Sequence, residues 1–86
     1  MYFSISGKFA TLKAGAIPSL LKLVNASESE ARLYAIKTLT MLAEAPAGRQ
    51  VLEDYVSDIQ KREQLETSPS IINAIKIAVK VITWKP

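Results

Sequence analysis

Apolar residues recur three and four positions apart along most of the chain, and one stretch shows this most clearly. In it the apolar positions are Ala31, Ala35, Ile36, Leu39, Leu42 and Ala43. This spacing places them on one face of an α-helix with a period of 3.6 residues. Ser27 and Glu30 have the spacing of a capping box, and Pro46 cannot continue a helix. The pattern predicts a helix over residues 29–45 whose apolar face lies in the core.

Shorter apolar stripes predict helices before and after this one. One helix is expected over residues 17–25, preceded by a turn at Gly15 and a shorter helical piece over residues 8–14. Another starts near Gly48. Two alternatives stay open for it: one straight helix that continues to Gln64, or two helices separated by a break near residues 55–59. The stripes behind these two are Ile17, Leu20, Leu21 and Val24, then Val51, Leu52, Tyr55, Val56 and Ile59.

The last helix is expected over residues 69–84, with Ser68 as its N-cap and Pro69 in its first turn. Its apolar residues lie nearly all round the helix, which predicts that one face is covered by something outside the intramolecular core. No segment alternates apolar and polar residues for long enough to form a strand. The sequence therefore predicts an all-α fold.

Two short motifs repeat along the chain at nearly the same distance. Ala35-Ile36-Lys37 recurs as Ala74-Ile75-Lys76, an offset of 39 (74 minus 35), and Gly7-Lys8 matches Gly48-Arg49 at an offset of 41 (48 minus 7). A unit of about 40 residues with two or three helices is the signature of armadillo and HEAT solenoids. The chain is expected to form a single domain over residues 1–86, with repeat one at 7–45 and a divergent repeat two at 46–85.

The residues of the first unit also resemble a known family. Residues 12–24, LKAGAIPSLLKLV, are similar to the armadillo consensus where the first helix meets the second. Residues 39–43 resemble the end of the third helix, and residues 46–50 resemble the connection to the next repeat. The second unit departs from the pattern, since residues 55–59 lack the glycine and the Ile-Pro pair. The resemblance implies a right-handed α-solenoid fragment of about two armadillo-type repeats.

The composition argues against catalysis and against a bound metal or cofactor. The chain has no cysteine and no histidine, its three glycines are isolated, and its neighbouring carboxylates do not face each other on a helix. We therefore expect no enzyme activity, no catalytic residue and no cofactor. The net charge of +3 comes from dispersed basic residues, so nucleic acid is not an expected partner.

The apolar stretch 71–84 is too short to span a bilayer, so no membrane association is expected. The absence of cysteine fits an intracellular, cytoplasmic location. The chain as a whole is also similar to armadillo proteins of the ciliary radial spoke head, which would imply the axoneme.

In armadillo proteins the third helices line a groove, so the resemblance implies a protein or peptide partner at their outer faces. The corresponding residues here are Tyr34, Lys37, Met41, Asn73, Lys76, Lys80 and Trp84. Importin-type repeats carry tryptophan and asparagine at positions where this chain has Lys37 and Met41, then Lys76 and Lys80. A groove lined with lysines is more similar to the catenin branch, and favours an acidic segment.

Blander interpretations of the same residues stay open. Exposed lysines on a helix usually serve only solubility, and aromatic residues such as Tyr34 and Trp84 more often pack than bind a ligand. The alternative function is a purely structural repeat segment, which stacks on further repeats or forms a homodimer, because solenoids need about three repeats for a continuous core.

Overall fold

The computed structural model describes residues 16–84, and every regular element within this range is a helix. Helix α1 covers residues 16–23 of the described part. It is followed by α2 (Ser29–Leu42), α3 (Pro46–Leu52), a 3-10 turn (Glu53–Tyr55), α4 (Val56–Leu65) and α5 (Pro69–Ile82). The all-α prediction is confirmed for this range. The helical piece predicted over residues 8–14 and the turn at Gly15 lie outside it.

The ends of α2 differ from the prediction. The helix ends at Leu42, because the amide of Glu44 closes the last turn on the Met41 carbonyl and Pro46 follows. At the other end the predicted capping box is wrong. Glu28, not Ser27, is the N-cap residue, and it makes no side-chain cap hydrogen bond. The first turn of α2 is held instead by tertiary contacts of its arginine, described below.

Helix α5 begins as the sequence predicts, with Ser68 at the N-cap position and Pro69 at the start. The Ser68 side chain makes no cap hydrogen bond. The Ser68 backbone has the extended conformation that a residue before proline favours, and this starts the helix at Pro69. The helix ends at Ile82, two residues before the predicted end, and Thr83 is its C-cap.

Of the two alternatives for residues 48–64, the structure has the broken helix. Helix α3 ends at Leu52, and the 3-10 turn separates it from α4. Tyr55, with φ −112° and ψ 4°, has left the α-helical region. The chain therefore has a break between Leu52 and Val56, although residues 55–59 lack the glycine and the Ile-Pro pair that occur at residues 15–18.

The core is formed mainly by α2 and α5, with α4 also packed against α5. The buried apolar residues of the described range are Ile17, Leu20, Val24, Ala35, Ile36, Leu39, Ala43, Leu52, Ile59, Ile71, Ile75, Ala78 and Ile82. The predicted apolar face of α2 is confirmed, with Ala31 and Leu42 half-buried at its edges. Most of the apolar surface of α5 is covered within the chain, because its isoleucines are buried or half-buried apart from Ile77, which is exposed. That something outside the core covers the exposed face of α5 stays a prediction.

Helices α2 and α5 lie side by side and run in the same direction. Residues near the start of α2 meet residues just before α5, since Arg32 contacts Glu66. Further along, Lys37 and Ala74 line one depression, and Glu44 and Trp84, which follow the ends of the two helices, line another. None of the helices in residues 16–84 combines the length and hydropathy needed to cross a bilayer.

Candidate functional site

The outer faces of α2 and α5 form one continuous surface. On each helix the residues of this face are three and four positions apart, so they share one side of the helix. The buried residues lie on the other side, so this face is turned away from the core. Its exposed residues on α2 are Tyr34, Lys37 and Met41, joined by Glu44 from the turn that follows the helix. Its exposed residues on α5 are Asn73, Lys76, Ile77 and Lys80, joined by Trp84, which lies two residues beyond the end of the helix. We call it the α2/α5 face.

A groove of about 300 Å³ runs between the two helices on this face. It is lined by Lys37, Thr40, Met41, Ala74 and Ile77. The hydroxyl of Thr40 donates a hydrogen bond of 2.8 Å to the Ile36 carbonyl, so it is already satisfied within its own helix. The groove therefore offers mostly apolar surface, and Lys37 is the charged residue among those that line it.

A second hollow, of about 380 Å³, lies at the C-terminal ends of the same two helices. It is lined by Glu44, Arg49, Lys80, Val81 and Trp84. The Arg49 guanidinium lies over the Trp84 ring, 5.3 Å from its centroid, which is within the range of a cation–π interaction. We call it the Trp84 hollow.

Large apolar side chains are exposed together on this face. Tyr34 is 63% exposed, Met41 65%, Ile77 48% and Trp84 54%. The interpretation of Tyr34 and Trp84 as packing residues is therefore wrong, because each keeps more than half of its surface accessible. Four exposed large side chains on one face are more than scattered surface apolar residues, and such patches mark interaction sites.

A buried carboxylate fixes the two helices that border the groove. Arg32 of α2 donates from Nε to Oε2 of Glu66 at 2.9 Å and from Nη2 to Oε1 at 3.0 Å. Its Nη1 donates to the Ala26 and Ser27 carbonyls, at 2.9 and 3.0 Å. Arg62 of α4 adds a third donor to Glu66, at 3.3 Å. This Arg32–Glu66–Arg62 cluster ties the loop before α2 to the loop before α5.

The charge of Glu66 is strongly favoured in this cluster. The pKa of Glu66 is lowered from 4.5 to about 2, chiefly by hydrogen bonding to the Arg32 guanidinium and against the opposing effect of burial. Hydrogen bonds from the Thr67 amide and from Arg62 contribute to this lowering. Glu66 therefore stays ionised at neutral pH, and the cluster holds the starts of α2 and α5 at a fixed separation.

The structure brings together only some of the predicted site residues. Lys37 and Met41 line the groove, and Lys80 and Trp84 line the Trp84 hollow. The other three predicted residues, Tyr34, Asn73 and Lys76, are exposed on the same face but line neither depression.

The repeat offset of 39 (77 minus 38) relates Ile77 to Thr38 and places it on the outer face of α5, where the structure has it. Sequence reasoning left several other lining residues out of the site. Thr40, Ala74, Glu44 and Arg49 carried no signal. Their place in the site depends on the distance between α2 and α5 and on where α3 begins. Residue spacing along the sequence predicts neither of these.

No group of three or more histidine, cysteine, aspartate or glutamate side chains in residues 16–84 could hold a metal ion. No known protein family matches the chain, and no solved structure matches it. The armadillo resemblance therefore stands on the residues quoted for it.

Proposed function

We propose that this chain is a protein-interaction module, a fragment of about two stacked armadillo-type repeats, whose α2/α5 face binds an acidic peptide. The observation that carries the proposal is the groove between α2 and α5. There an apolar lining and a lysine coincide, between two parallel helices whose separation is fixed at one end by the Arg32–Glu66–Arg62 cluster. A site of this kind binds without catalysing, so we propose no enzymatic role.

The charge on the face supports an acidic partner. Lys37, Lys76 and Lys80 are exposed there, and Arg49 lies at its C-terminal end. Among the residues that define the face, the opposing charge is that of Glu44. The face is thus positive by two charges, three lysines minus one glutamate, and positive potential steers carboxylates toward the groove.

The apolar lining supports a partner that also carries a large aliphatic side chain. Met41 and Ile77 are accessible, and burying them under such a side chain would remove their surface from water. Met41 is unbranched and can adapt its shape to the group that enters. Charge supplies the steering and this contact supplies affinity.

The experiment compares three fluorescein-labelled peptides of twelve residues. They share leucines and a phenylalanine at the same positions and carry glutamate, glutamine or lysine at all others. Fluorescence anisotropy should give the lowest Kd for the glutamate peptide. Reversal of Lys37 and Lys80 to glutamate should abolish that preference, whereas reversal of the exposed Lys22 and Lys61 in α1 and α4 changes net charge equally and should leave most of it.

Equal affinity for the glutamate and lysine peptides would contradict the proposal. So would an equal loss in the two charge-reversal variants, because net charge and not the face would then set affinity.

A second candidate function is self-association, favoured by a third hollow, of about 300 Å³, whose lining residues do not belong to the α2/α5 face. It lies between α1 and α4, and Leu65 on its wall is 67% exposed. Asp58 and Lys61 lie on the same hollow, so a second copy related by twofold symmetry could pair them reciprocally. Sedimentation equilibrium tests this: a dimer that Leu65→Asp returns to a monomer would support it, and a monomer at all concentrations would exclude it.

A further inference from the structure

We infer that the Trp84 hollow is a second subsite of the same peptide track and accepts an aromatic side chain of the acidic partner. This inference rests on the proposed function of the α2/α5 face. It adds a specificity that neither the lysines nor the groove would provide.

The position of the hollow makes it continuous with the groove. Ala74 and Ile77 line the groove, and Val81 and Trp84, each seven residues further on, line the hollow. Seven residues of helix advance about 10 Å, so the two depressions are about 10 Å apart. A peptide spans that distance with three residues in the polyproline II conformation or about seven in a helix.

The size and chemistry of the hollow select an aromatic ring. At about 380 Å³ it is larger than the groove, at about 300 Å³. The Trp84 ring is half exposed, and the guanidinium of Arg49 restrains its position. A ring of the partner can stack on it offset or edge-on, with centroids 4.5–7 Å apart.

The surrounding charges decide which ligand the exposed tryptophan takes. A lysine or arginine of a partner could also stack on an indole, but Arg49 and Lys80 lie in the same hollow and would repel it. The same two cations suit a carboxylate next to the aromatic residue in the partner sequence. Glu44 is the acidic residue among those that line the hollow, so the two cations leave the lining with a net charge of +1 (two minus one).

Selection from a random twelve-residue peptide phage library tests the inference. The wild-type chain should enrich acidic peptides that contain an aromatic residue three or seven positions from an aliphatic one. Trp84→Ala should enrich acidic peptides without the aromatic preference, and Trp84→Phe should restore it. Because Trp84 is exposed and lies beyond the end of α5, both variants should keep the wild-type circular dichroism spectrum.

The selected peptides then give a direct readout, since Trp84 is the only tryptophan in the chain. Their binding should change its fluorescence, and replacing the aromatic residue of the peptide with alanine should weaken binding about tenfold. Acidic peptides selected without an aromatic preference would overturn the aromatic subsite and leave the acidic-peptide function intact. No acidic enrichment on any of the three proteins would overturn both.

Discussion

Gly48 shows how one missing side chain fixes the approach of two helices. It is buried in α3, and a Cβ placed there would collide with the Leu42 carbonyl in the last turn of α2. Glycine to alanine in a helix ordinarily stabilises by about 1 kcal/mol. Here the neighbour is backbone and cannot rotate away, so we expect Gly48→Ala to lower the free energy of unfolding by roughly 1–3 kcal/mol.

Urea denaturation followed by circular dichroism measures this change. Gln50→Ala, at an exposed position in the same helix, is the control and should shift stability by less than about 0.5 kcal/mol. A Gly48→Ala variant more stable than wild type would show that α3 and α2 are further apart than described.

Leu39 and Lys37 lie two residues apart on α2 but on opposite faces. Leu39 is fully buried in the same core cluster as Leu20, with Leu21 packed against its edge. We expect Leu39→Ala to cost roughly 2–4 kcal/mol, because the cavity it leaves cannot collapse fully. Lys37→Ala should cost less than about 0.5 kcal/mol, since Lys37 is exposed. Equal melting shifts in a thermal scan of the two variants would mean that α2 is rotated from the described position.

At the scale of the helices, the Arg32–Glu66–Arg62 cluster links the loop before α2 to the loop before α5. Glu66→Gln keeps the shape of the side chain but removes its charge, and it turns one of the two acceptor oxygens into an NH₂ group that cannot accept from the arginines. Breaking a buried ion pair in this way should cost roughly 3 kcal/mol at neutral pH. Glu28→Gln, at the exposed N-cap of α2, is the matched control and should cost far less.

The same cluster predicts a specific pH dependence of stability. The folded-state pKa of Glu66 is depressed from 4.5 to about 2. Its stabilisation is therefore fully present above the unfolded value and is lost as pH falls through the folded one. The stability difference between wild type and Glu66→Gln should be constant above about pH 5 and shrink steadily toward pH 2. Chemical denaturation at each pH measures it, and a difference that stays constant down to pH 2 would exclude this role for Glu66.

The helices that the sequence predicts best are those whose apolar residues keep a regular period. For α2 the period alone identifies Ala35, Ile36 and Leu39 as buried, because a helix turns by a fixed angle per residue. The break before α4 has no such signal. It depends on how residues 53–55 fit between helices that pack against α5, so tertiary contacts decide it.

In the candidate site, the sequence predicted which residues lie on the outer faces of the helices, but not the contacts between residues far apart in the sequence. Helical spacing placed Lys37, Met41 and Lys80 on outer faces, as the structure does. Arg32 and Glu66 are 34 residues apart, and neither belongs to an apolar stripe, so nothing local links them. Trp84 is exposed because α5 ends at Ile82. The sequence did not indicate this end, since the apolar residues continue to residue 84.

For the whole molecule, the α2/α5 face predicts binding that weakens with salt. The steering charges are solvent-exposed, and the Debye length falls from about 30 Å at 0.01 M salt to about 8 Å at 0.15 M. The Kd of the twelve-residue glutamate peptide should therefore rise as sodium chloride is added. The glutamine peptide, which has the same apolar residues, should change little. Identical salt dependence of the two would remove the electrostatic part of the account.

The most direct measurement of the central claim is where the glutamate peptide binds. The chain has two methionines, Met1 and Met41, so ¹³C-methyl labelling of methionine and isoleucine gives a sparse NMR spectrum with reporters in the groove. On titration, the account predicts shift changes at Met41 and Ile77, with the Ile59 methyls on the α1/α4 hollow unchanged. Changes at Ile59, with Met41 and Ile77 unmoved, would contradict it.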